Sequence, residues 1–304
     1  MERRTFLETI GATTAMGLLP HLQAQPQQKE SMEEIFLRFF ATNWGFSGSW
    51  DAFCAKAKKD GYDGIEVWCP QDAQNQSEMV AAVRKHELAL GFLIGTSHAG
   101  ETDFNKIVAN YEQYAKLATS FNPVYINSHT GKDYLTFEQN KRFLDVAATV
   151  SEASGIRIMH ETHRMRALFA AHIAKQYIEK VPNLRLTLDI SHWCNVHESY
   201  LDDQPEAVQL ALQHTDHIHA RVGHPEGPQV NDPRAPEWQT AVQKHLAWWD
   251  KIVELKRQKG KSLTVLTEFG PPTYMPTLPY TQQPVADQWD INVYMMKLFK
   301  ERYK

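Results

Sequence analysis

Apolar, β-prone runs recur along this chain roughly every 25–35 residues, with helical spacing between them, and that rhythm restricts the fold to very few architectures. The runs are 36–42, 64–68, 88–95, 124–128, 156–160, 184–189, 217–220 and 263–268. Helical patterns fill the intervals. In 104–121 the apolar positions are Phe104, Ile107, Val108, Tyr111, Tyr114 and Ala115, and 137–153 and 238–259 read the same way. Strand alternating with helix eight times predicts a single-domain α/β fold, a (β/α)8 TIM barrel closed by a parallel sheet. A doubly wound open sheet would place a Gly-rich phosphate turn after its first strand. Here that turn reads Thr42-Asn43-Trp44-Gly45-Phe46, which is not one. The 304 residues exceed the ~250 of a typical barrel. The excess falls at the N-terminus and in a Pro-rich stretch, 270–284, expected as a long loop before a last helix at 287–299.

Residues 1–30 read as a processing segment and linker, leaving 31–304 as the barrel domain. Glu2-Arg3-Arg4-Thr5-Phe6-Leu7 resembles a twin-arginine export signal, followed by a short apolar stretch, Pro20 and a cleavage site after Ala24. The stretch is too short to span a bilayer. An exported, periplasmic protein is expected; without a working signal the chain stays cytoplasmic. The net charge of −4 offers no basic track for nucleic acid. Cys54, Cys69 and Cys194 lack metal-finger or CxxC spacing and read as free thiols.

The chemistry sits where strands end. Four runs, IRIMHETH, LRLTLDISHW, HIHARVG and LTVLTEFG, finish in Glu161, Asp189, His219 and Glu268. A buried strand has no structural use for an unpaired charge at its end, because desolvating one is costly. Converging at one mouth of a barrel, these residues would form an O,O,N,O site for one divalent ion. Such donors favour Mn²⁺, Mg²⁺ or Co²⁺, with Zn²⁺ also accommodated. Further strand ends supply Glu66, His98 and His129; His192 follows Asp189 by one turn, and His163 and Arg221 flank the ligand motifs. His160 should face away from the barrel axis by alternation. His214, His217 and His224 read as core or loop histidines, and Trp44, Trp68 and Trp193 as candidate stacking surfaces for a sugar.

The order GIEVW, MHETH, LDISHW, HIHARVG, TEFG resembles the xylose isomerase-like TIM-barrel superfamily, the sugar phosphate isomerases and epimerases, across the whole chain after the linker. The resemblance implies that Glu161, Asp189, His219 and Glu268 bind one metal and that the two glutamates also exchange a substrate proton. It implies that His192 contacts the sugar, and it admits a homo-oligomer. Arg221, Glu66, His98, His129 and His163 would complete the contacts to a small carbohydrate. Two family positions differ: a substrate glutamate is Ala167 here, and a substrate arginine is Pro225, with Arg221 the nearest alternative. The expected reaction is isomerisation or epimerisation through an enediolate. A lyase acting on 3-keto-glycosides would begin with the same proton abstraction. An endonuclease IV-like hydrolase would need Asp-x-His where the chain has Asp232-Pro233-Arg234, and a non-catalytic sugar-binding barrel would not need both glutamates.

Overall fold

The computed structural model describes residues 37–96 and 100–304. Eight parallel strands close into a barrel in sequence order, with β1 (Leu37–Thr42) pairing both β2 (Gly64–Trp68) and β8 (Leu263–Thr267). Between them lie β3 (Ala89–Gly95), β4 (Tyr125–His129), β5 (Ile158–Glu161), β6 (Leu186–Leu188) and β7 (Thr215–His219). The connecting helices are α1 (Trp50–Asp60), α2 (Ala73–Lys85), α3 (Phe104–Ser120), α4 (Phe137–Ser154), α5 (Ala171–Lys180), α6 (Ile190–Val196), α7 (Pro205–His214) and α8 (Gln239–Gln258). After β8 and the expected long loop comes α9 (Gln288–Arg302). The expected export signal lies outside the described residues. No helix among the described residues is long and apolar enough to cross a membrane.

Local chemistry explains the helix boundaries. Ser49, Asp72, Asp103 and Asp287 accept from first-turn amides of α1, α2, α3 and α9, and Thr136 with Gln139 forms a reciprocal capping box on α4. Gly61 ends α1 with a left-handed φ of 94°, a conformation that strains any side chain. Periodicity gives no sign of α6. This helix follows β6 directly because the Asp189 carboxylate caps it, accepting from Ser191 N at 3.1 Å.

Alternation along the strands builds two layers. Residues of one parity, such as Phe39, Ile65, Phe92, Ile126, Ile218 and Val265, pack outward against the helices. Residues of the other parity fill the interior, where Phe40, Tyr125, Met159 and Leu266 form a separate apolar plug. Gly91 makes room for that plug: a Cβ there would lie 2.7 Å from the Tyr125 ring. Above the plug the interior turns polar.

Candidate active site and metal centre

Directly above the plug, Glu66 projects from the middle of β2 into the closed barrel, 2% exposed. Its Oε2 accepts from the Tyr125 hydroxyl at 2.7 Å and lies 2.9 Å from His217 Nε2. Its Oε1 lies 3.1 Å from His219 Nε2. Burial alone would raise this carboxyl; His219 and His217 outweigh it and hold Glu66 well below the usual carboxylate range.

One layer higher, His219 turns its Nδ1 to Glu268 Oε2 at 2.9 Å and to Glu161 Oε2 at 3.6 Å. Glu161 accepts from Asn127 Nδ2 at 2.6 Å and lies 3.0 Å from His129 Nε2, a pair too misaligned for a hydrogen bond. Asp189 uses Oδ1 for the cap on α6 and turns Oδ2 to the Arg221 guanidinium. Burial, with Glu268 and Glu161 adding negative charge, pushes the Asp189 carboxyl up to about 6 despite Arg221. Three carboxylates thus crowd a space where Arg221 is the permanent cation. The Oε1 of Glu161 is buried and has no partner.

That orphaned oxygen and the surplus of carboxylate fit a divalent cation. Among the described residues, donor atoms within 4.8 Å of one another group as Asp189–His219–Glu268, Glu161–Asp189–His192, His129–Glu161–His163 and Glu66–His217–His219. All four residues expected as ligands therefore fall in overlapping clusters at the C-terminal mouth.

A cavity of about 210 Å³ opens over this centre, lined by Trp44, Glu66, Trp68, His129, His163, Arg221, Glu268 and Tyr274 among others. Trp44 packs against Gly270, where a Cβ would meet its ring at 2.3 Å, and stands edge-on to Tyr274. Tyr274 covers the Arg221 guanidinium at 4.8 Å and its hydroxyl accepts from Arg164 at 3.1 Å. Burial and the nearby His129 push the His163 imidazole down to about 3, so it is neutral at physiological pH.

The other residues singled out in the sequence divide by place. His192 is wholly buried under His163, ring centroids 3.9 Å apart, with Nε2 at 2.8 Å from Arg221, and does not line the cavity. Trp193 faces the other way and donates to Leu168 O at 2.9 Å, whereas Trp44 and Trp68 do line the cavity. His98 lies outside the described residues. His160 faces the helices, as alternation required, and meets the Thr130 hydroxyl at 2.7 Å. Strand-end reasoning passes over Tyr125, Asn127 and Tyr274. The first two share the inward parity of His129 on β4, a usable signal; Tyr274 sits in a loop with none. His217, expected as a core or loop histidine, is a core residue, but of the site's own floor.

A model of the xylose isomerase-like TIM barrel family matches residues 54–234, more than half of the chain. The chain belongs to that family. No curated protein matches it in sequence. Among solved structures, the xylose isomerase-like barrel is similar to 3-keto-D-glucoside 4-epimerase from E. coli (14% identity, TM-score 0.58, 87% of this chain and 99% of that one). It is also similar to the probable 3-DHS dehydratase AsbF from Bacillus anthracis (16%, TM-score 0.57, 87% and 99%). A sugar phosphate isomerase/epimerase from Parabacteroides distasonis matches at 11% identity and TM-score 0.57, over 86% and 98%. At these identities the likeness is one of fold.

Proposed function

We propose that this barrel is a divalent-metal-dependent isomerase or epimerase of a small carbohydrate, working by removal of a proton from carbon next to a carbonyl. The observation that carries the reading is the convergence of Glu161 and Glu268, from β5 and the end of β8, on the same atom, His219 Nδ1. Two carboxylates that meet around one centre can serve as base and acid toward one substrate carbon. Glu161, Asp189, His219 and Glu268 would hold the metal, whose chemistry is to polarise a carbonyl and its neighbouring hydroxyl. Glu268, at the cavity wall, takes or returns the proton on the open side. Glu161, fixed by Asn127, does so from below. Return to the neighbouring carbon shifts a carbonyl; return to the opposite face of the same carbon inverts it. Trp44 and Trp68 offer flat apolar faces to a sugar, and Tyr274 excludes water above Arg221.

Tyr274 favours a second reading. It lines the cavity with Glu268, and burial raises its phenol, so it would serve as a proton donor to a departing hydroxyl. Abstraction followed by that loss is a lyase reaction, and one relative of this fold is named a probable dehydratase.

The test is metal content of the purified protein, then metal-dependent deuterium uptake from D₂O into free, phosphorylated and 3-keto sugars. Uptake that needs metal supports the proposal, and its product separates isomer from alkene. Metal-free protein with no uptake on any sugar overturns it. We propose export through the twin-arginine route as well: Arg3→Lys with Arg4→Lys should leave the protein in the cytoplasm, and unchanged export would refute this.

A further inference from the structure

His219 is shared by two donor clusters, one on each ring nitrogen. One joins it to Asp189 and Glu268, with Nδ1 2.9 Å from Glu268 Oε2; the other joins it to Glu66 and His217, with Nε2 3.1 Å from Glu66 Oε1. A neutral imidazole ligates through one nitrogen and carries its proton on the other, so the two clusters exclude each other as sites for an ion held by His219. The surroundings decide between them. The lower cluster is the more enclosed: only Glu66, 2% exposed, reaches the cavity, and it accepts from Tyr125 with His217 Nε2 2.9 Å away but out of line for a hydrogen bond; His217 Nδ1 meets the Thr264 hydroxyl at 2.8 Å, and the apolar plug lies below. The upper cluster opens to the cavity through Glu268, adjoins Glu161 with its unpartnered Oε1, and has more carboxylate than cation. Asn127 Nδ2, 3.2 Å from His219 Nε2, gives one of its two hydrogens to Glu161 at 2.6 Å and has Glu66 Oε1 at 3.4 Å to take the other.

We infer that Glu66 is a positioning residue that accepts the Nε2–H of His219 and so presents Nδ1 to the metal, rather than a contact to substrate. The inference rests on the metal-dependent reading above. Glu66, His219 and the ion would form a carboxylate–histidine–metal line, with the Tyr125 hydroxyl fixing the carboxylate in turn. Such a partner sets the tautomer and ring angle of the ligand, and its loss typically costs about 10–100-fold in metal affinity.

Two measurements test this. In Zn²⁺-loaded wild-type protein, ¹⁵N-histidine NMR should show His219 protonated at Nε2 and metal-bound at Nδ1. The reverse pattern would overturn the assignment and needs no variant to fold. Co²⁺ titration should then show about 10–100-fold weaker binding and an altered d–d spectrum in Glu66→Gln, with Tyr125→Phe, which keeps the carboxylate, within a few-fold of wild type. Unchanged Co²⁺ affinity and spectrum in Glu66→Gln would sink the positioning role. So would unchanged metal binding together with weakened sugar binding, the signature of a substrate contact. If wild-type protein binds no Co²⁺ or Zn²⁺ at all, the metal-dependent reading falls first and this one with it.

Discussion

The two faces of the same strands bury charge in opposite ways. On the outer face of β7, Asp216 accepts two hydrogen bonds from Arg185, each at 2.7 Å, and a third from Lys256. One carboxylate there answers two cations, and Arg185 and Lys256 outweigh the burial that would raise it, holding Asp216 well below its ordinary range. On the inner face, three residues on, His219 and its neighbours gather Glu66, Glu161, Asp189 and Glu268 around one arginine. β5 repeats the contrast: His160 faces outward to a hydroxyl that satisfies it, and Glu161 faces inward with an oxygen that nothing satisfies. A completed buried cluster holds a fold together. An incomplete one points to a ligand the fold was built to receive.

The contrast breaks most readily at Glu268. Glu268→Gln should remove about 10²–10⁴-fold of metal-dependent proton exchange, the usual worth of a positioned acid or base. Its thermal stability without metal should hold or rise, because one of several crowded carboxylates is gone. A melting temperature that drops sharply would mean the inner cluster is structural after all.

Asp216→Asn should do the reverse. Removing one partner of a buried ion cluster strands the others, at a cost of about 3–5 kcal/mol. Metal affinity should not change. Denaturant unfolding with parallel Co²⁺ titration reads both, and a variant as stable as wild type would show that the outer cluster contributes little.

His160 sharpens the comparison by pH. Burial pushes its imidazole down from 6.5 to about 4, so the folded state resists a proton that the unfolded chain accepts. Its stabilising share is complete above pH 6.5 and is lost as pH falls toward 4, about 3 kcal/mol in all. His160→Asn should flatten the stability profile across that window. An identical slope would place the titration elsewhere.

How much of the molecule is legible in its sequence depends on whether a residue's role follows from position along a strand or from closure of the barrel. Strand rhythm and terminal residues are local, so eight strands and the convergence of Glu161, Asp189, His219 and Glu268 can be read from order and alternation. The floor of the site cannot. Tyr125 reaches Glu66 because closure sets both beside Gly91 of β3, Glu66 from β2 and Tyr125 from β4, and that glycine leaves room for the ring. Asp189 as helix cap is hidden when 184–189 is taken as one strand; the pairing of β6 with β7 shifts register between Leu186 and Thr187, and α6 starts at once. Trp193, one residue past His192 on that helix, is thereby carried to the opposite side.

The smallest effect is the most direct probe of incompleteness. If the inner cluster lacks a cation, a divalent ion binds the folded chain and not the unfolded one. At a hundredfold excess over its dissociation constant it should add about 2.7 kcal/mol. Chelation should remove that increment. Glu161→Gln, which takes a charge from beside the orphaned oxygen, should raise stability in chelator and shrink the gain on adding metal. Asp216→Asn, already costly by itself, should keep the whole gain, because the ion touches only the inner face. Equal gains in both variants would mean that the ion binds elsewhere on the molecule. No gain in wild-type protein would mean that the four carboxylates are held by protons and Arg221 alone.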